Sequence, residues 1–179
     1  MKKIVHLSAF IFVLVFLACN STQSKHELSK EDYFSKIDSI EKKIRQMQII
    51  DNATGTNAIA AYTNYAQQFP NDSITPDYLF KAGEIASSVR QGQRAIDIYN
   101  SIYEKYPSYK KVHYCLFLQA FIYETQLNNI EKARVLYNKV IEKYPNESIA
   151  HDAKACIQNL GKSDEELIKE FEARNKKSS

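Results

Sequence analysis

The groups in this chain that could do chemistry are three cysteines, four histidines and a scatter of carboxylates. An ionised thiol can act as a nucleophile or metal ligand, an imidazole as a general base, and two facing carboxylates as an acid–base pair. Their spacing supports none of these roles. Cys19, Cys115 and Cys156 are widely separated with no Cys-x-x-Cys, no two histidines stand at metal spacing, and the four glycines form no phosphate loop. His113 and His151 each stand alone, as surface or packing histidines do. Asp152, Asp164, Glu165 and Glu166 read as solvated helix faces and caps. No catalytic residue, metal site or cofactor is therefore expected.

Cys19 differs from the other two thiols in its setting. Met1, Lys2 and Lys3 make a basic start, Ile4 to Leu17 is apolar except for His6 and Ser8, and Ala18 precedes the cysteine. The apolar run is shorter than the roughly 20 residues of a spanning helix, so it reads as a secretory signal. A cysteine directly behind a small residue at the end of such a run resembles the lipobox of bacterial lipoproteins, although Phe16 and Leu17 differ from its usual residues. The resemblance implies cleavage before Cys19, a diacylglycerol on its thiol and an acylated amino terminus, which together anchor a chain to a bilayer. No Asp follows Cys19 and no acidic cluster stands behind it, so by resemblance the expected location is the periplasmic face of the outer membrane. Residues 1–18 are then the signal peptide and 19–29 a flexible tether. Asn20 to Ser29 has a reach of roughly 16–19 Å.

The elements that must position any site are helical. With 179 residues, four glycines and four prolines, the chain suits one domain with few tight turns. Removing Lys2 and Lys3 from 24 basic residues leaves 22 against 21 acidic ones, a net charge near +1 that gives nucleic acid no hold. Three segments end in an aromatic residue and a proline: Phe69–Pro70, Tyr106–Pro107 and Tyr144–Pro145, with the prolines 37 and 38 residues apart. Twelve residues before each stands Ala58, Ala95 or Ala133; eight before, Tyr62, Tyr99 or Tyr137; four before, Ala66, Tyr103 or Ile141. The alanine permits close helix approach, the tyrosine fills the gap between hairpins, and proline stops the helix. Leu79, Gly83 and Ala86 align with Leu116, Ala120 and Tyr123 at an offset of 37, which puts the second unit's extra residue in the turn around Leu127 to Ile130.

This pattern resembles the tetratricopeptide repeat, a helix–turn–helix unit. Leu79, Ala82, Gly83, Ala86, Ala95, Tyr99, Ile102 and Pro107 occupy its motif positions in one unit. Leu116, Ala120, Tyr123, Ala133, Tyr137, Val140 and Pro145 occupy them in the next. The resemblance covers roughly residues 31 to 172 and implies an all-α fold, a short solenoid of antiparallel hairpins with about three units plus end helices. The repeat domain is expected over 30–172, with 173–179 a frayed tail. Periodicity predicts a helix over 31–49, broken at Asp51 to Gly55. Thr75 and Pro76 read as a cap and first-turn proline. Ser163 to Glu166 reads as a capping box opening a last helix that closes the stack, behind Gly161. Cys115 and Cys156 fall on neighbouring first helices about three residues out of register, leaving a disulfide and buried free thiols as the two readings.

In tetratricopeptide proteins the concave surface is lined by first-helix residues. By position these are Asp77, Phe80, Glu84 and Ser87, then Tyr114, Phe117, Phe121 and Glu124, an aromatic groove with acidic edges. The resemblance implies a partner-binding scaffold, and the groove suits an extended or helical apolar segment of a protein or peptide. The competing reading is that the chain's own end helices cover these aromatics. For function, the expectation is a lipid-anchored scaffold in the bacterial envelope, possible roles being outer-membrane or envelope assembly. Alternatives are an accessory lipoprotein of a nutrient-uptake or secretion complex and, in another class, a peptidoglycan-acting enzyme with a dispersed site.

Overall fold

A computed structural model describes residues 28–177. The signal segment, Cys19 and most of the tether lie outside the described residues. Eight helices follow one another and no strand occurs among the described residues: α1 (Lys30–Arg45), α2 (Asn52–Gln68), α3 (Thr75–Ser88), α4 (Gly92–Lys105), α5 (Val112–Thr125), α6 (Ile130–Lys143), α7 (Ser148–Asn159) and α8 (Asp164–Lys177). From α2 to α7 each helix packs on the next, as successive antiparallel hairpins do, and α5 also touches α7. No described helix is long and apolar enough to cross a membrane.

The repeated residues form the core. Ala58, Ala95 and Ala133 are each fully buried, and Tyr62, Tyr99 and Tyr137 are 2%, 1% and 0% exposed. Gly83 shows how tight the fit is. A Cβ there would lie 2.6 Å from Cε1 of Tyr99, whereas the second unit accommodates Ala120 at the matching position. Each second helix stops in the same way. The C-caps Phe69, Tyr106 and Tyr144 have φ/ψ of −125/59°, −127/60° and −130/50°, a non-helical conformation enforced by the following proline.

The turns follow equally local rules. Val89–Gln91 joins α3 to α4 and Gln126–Asn129 joins α5 to α6, so the extra residue lies where the repeat alignment puts it. Arg90 (φ 62°) and Asn128 (φ 49°) make the left-handed step. The Gln91 N–H then donates to Ala86 O at 2.8 Å, closing the carbonyls of α3 in a Schellman arrangement.

Four sequence expectations need correction. Helix α1 ends at Arg45, not Ile49, because Met47 N–H turns back to Ile44 O at 2.9 Å, and Ile49 is 83% exposed. Asp51 to Gly55 starts a helix instead of breaking one. The Asp51 carboxylate accepts from Thr54 N–H at 2.7 Å and Thr54 Oγ1 at 2.9 Å as the N-cap of α2, and Gly55 faces Val89, whose Cγ1 would lie 2.6 Å from a Cβ. Thr75 lies inside α3, where its hydroxyl donates to Phe69 O at 2.6 Å, and Ile74 is the N-cap. Finally, α8 does not close the stack. It opens on the expected Ser163–Glu166 capping box and Gly161 takes φ +82° before it, but it packs extensively on no other helix and leaves Ile168 59% exposed. The end is made by α7, which buries Ile149, Ala150 and Ala153 and turns His151, Asp152 and Lys154 outward. Helix α8 continues through 173–177, part of the segment expected to fray.

Candidate binding groove

Helices α3 and α5 carry the eight positions expected to line a groove, and they divide sharply. In α3, Asp77 Oδ1 accepts the Tyr109 hydroxyl at 2.7 Å, with Lys110 Nζ 4.0 Å away. Phe80 is only 5% exposed, between the rings of Tyr99 and Tyr109 at 5.6 and 6.1 Å and under Lys111 Nζ at 4.6 Å. Its assignment to an open groove is therefore a correction: the α4–α5 connection folds Tyr109 back over it, and Phe80 belongs to the core. Ser87 is engaged as well, since Gln126 Nε2 donates to its hydroxyl at 2.9 Å and its carbonyl at 3.1 Å. Glu84 is exposed.

In α5 the picture reverses. Tyr114 is 37% and Phe121 43% exposed, with half-buried Phe117 between them against Tyr137 at 5.4 Å. Positions 114, 117 and 121 share one helix face, so the three rings make a strip. Glu124 bounds it and accepts the Tyr137 hydroxyl at 2.7 Å. Neither α1 nor α8 packs extensively on α5, whose helix partners are α4, α6 and α7. The rings are thus not roofed by the end helices.

These hairpins, with small residues, tyrosines and prolines recurring in register, are the geometry that a helical-repeat family requires. Residues 114–147 match the family model of the tetratricopeptide repeat. The fold is a tetratricopeptide-like solenoid. The matched unit is α5–α6, the one that bears the exposed ring strip. No curated protein matches the sequence closely enough to count as a relative. Tetratricopeptide units generally mediate protein–protein contacts.

Three other ionisable groups are tied into the fold. Cys115 is a buried free thiol whose pKa burial pushes up to about 12, and Cys156 is a half-buried free thiol raised by burial. They are not bonded to each other, and they contribute to two different core clusters. Burial alone would raise Glu41, but hydrogen bonds from Lys81 and Tyr62 outweigh it and hold the carboxyl below its usual range. Among the described residues no cluster of three His, Cys, Asp or Glu could hold a metal ion.

One feature of this face was not foreseen from sequence. A cleft of about 620 Å³ lies between the connections over 69–74 and 106–111. Pro70 and Pro107 signalled helix stops there, but nothing in the sequence signalled that the two loops meet. Tyr106 fastens them, its hydroxyl donating to Pro70 O at 2.9 Å.

Proposed function

We propose that this chain is a membrane-anchored tetratricopeptide scaffold that holds a protein partner in the bacterial envelope, in outer-membrane or envelope assembly, without catalysing a reaction. The observation that carries the reading is the exposed strip Tyr114, Phe117 and Phe121 on α5, within the matched repeat. An aromatic strip of this kind favours association through apolar burial, and its ring edges favour shape-selective contacts. Half-buried Glu124 bounds it on the same helix, so the matching partner is an apolar helical or extended segment with a basic flank. Anchoring is supported by the basic start, short apolar run and Ala18–Cys19 junction, with acylated Cys19 in the bilayer and the domain at the periplasmic face of the outer membrane.

Photo-crosslinking from α5 in intact membranes, followed by mass spectrometry, tests the scaffold. Replacing Phe117 and Phe121 together with Ala should abolish a capture that the parent chain makes, while helicity by circular dichroism is kept. Capture that survives in the folded variant would sink the groove. Cys19→Ala should release the chain from the membrane fraction, and its retention there would refute the anchor.

A further inference from the structure

The described chain begins at the edge of the stack that carries the cleft. Helix α1 begins there, with Lys30 paired to Asp72 and the Tyr33 ring 5.6 Å from Phe69. Because successive helices alternate in direction, this edge also carries the connections over 69–74, 106–111 and 144–147. An anchor at Cys19 is separated from it by the short polar stretch 20–29, whose reach is about 16–19 Å.

The lining of the cleft is chemically mixed in a particular way. Lys105 and Lys110 supply cations, Ser73 and Ser108 hydroxyls, and Tyr106 and Tyr109 apolar rings with polar tips. Lys105 is exposed and Lys110 is 73% exposed. Its two carboxylates are already engaged. Asp72 is held by Lys30 and by the Tyr65 hydroxyl at 2.6 Å, and Asp77 by the Tyr109 hydroxyl. Lys110, although within 4.0 Å of Asp77 Oδ1, is thus accessible like Lys105, beside aromatic rings of the kind enriched at membrane interfaces.

We propose that this cleft receives a phospholipid headgroup of the bilayer, its phosphate between Lys105 and Lys110, and thereby turns this edge of the solenoid toward the membrane. The proposal rests on the anchored reading above. It goes further, because a tether alone leaves the orientation free, whereas a headgroup in the cleft holds the α5 strip at a set angle to the surface.

The test uses the full chain with Cys19 retained, in a Cys156→Ser background, with a single fluorophore at Ser108→Cys in the cleft or at Arg90→Cys on the opposite edge. In detergent, monomeric dihexanoylphosphatidylglycerol should shift the emission of the label at position 108 and not of that at 90. Replacing Lys105 and Lys110 with Gln should remove the shift. In vesicles of phosphatidylethanolamine and phosphatidylglycerol doped with a headgroup-nitroxide lipid, the label at 108 should be quenched more than that at 90. Equal quenching in a chain that floats with the vesicles would overturn the headgroup site while leaving the anchor intact. An equal response to inorganic phosphate at the same concentration would also overturn it, since the cleft would then be a general anion trap. If Cys19→Ala shows the anchor to be absent, the detergent titration still decides whether the cleft takes the lipid.

Discussion

At the residue scale, identical side-chain types at similar positions meet different fates. Phe80 and Phe117 lie 37 residues apart on matching faces, yet the first is sealed under Tyr109 and Lys111 and the second borders the open strip. Truncation should separate them energetically. Phe80→Ala should cost roughly 3–5 kcal/mol of stability, as lost burial and a cavity add, whereas Phe121→Ala should change it by less than about 1 kcal/mol. Denaturant titration of the two variants checks this, and similar losses would show that Phe121 is core. The thiols make a second contrast. Cys115 is fully buried, with its pKa raised to about 12, while Cys156 is half-buried. Thiolate is the reactive form, so alkylation of the native protein should modify Cys156 first and reach Cys115 only on unfolding. Peptide mapping by mass spectrometry reads the order. The contrast between the phenylalanines was beyond sequence reasoning, because Tyr109, which seals Phe80, stands in a connection outside the repeated motif positions.

At the scale of elements, short-range chemistry explains most boundaries. Proline and its preceding aromatic end α2, α4 and α6, and side-chain caps open α1, α2 and α6. Where the sequence reading of a boundary failed, two local signals competed. Asp51 and Gly55 are turn formers by type, but the Asp51 carboxylate caps α2 and Gly55 is the one residue that clears Val89. The seating of α1 depends on a charge. Hydrogen bonds from Lys30 and Tyr65 hold the Asp72 carboxyl well below its ordinary range. A carboxyl depressed in the folded state favours folding above its unfolded pKa, near 4, and loses that contribution as pH falls through its folded value. Acid should therefore loosen α1 before the hairpins. Amide exchange, corrected for intrinsic rates, should show α1 losing protection relative to α4 as the pH falls from about 5 to about 2. Asp72→Asn should reduce that differential, the remainder coming from Glu41, which Tyr62 and Lys81 hold on the same helix, and uniform loss along the parent chain would contradict the idea.

At the scale of the whole molecule, stability comes from neighbours shielding one another, as in any linear repeat array. Tyr103, Tyr123 and Tyr144 pack against both core clusters and join them. Helix α8 lies outside this arrangement, so ending the chain at Lys162 should leave the melting transition within roughly 0.5 kcal/mol of the parent. A large loss on calorimetry would mean that α8 seals the stack after all. The sequence by itself determined the helical class, the hairpin register, the buried alanines and tyrosines, and the place of the extra turn residue. Each of these is set by spacing and by the conformational limits of proline, glycine and capping side chains, which act over a few residues. Only the tertiary structure decided that Phe80 is closed while Phe121 is open, that α7 and not α8 ends the stack, and that two proline loops enclose a cleft. Those outcomes depend on which distant segment arrives against a given face, and spacing along one chain does not encode that arrival.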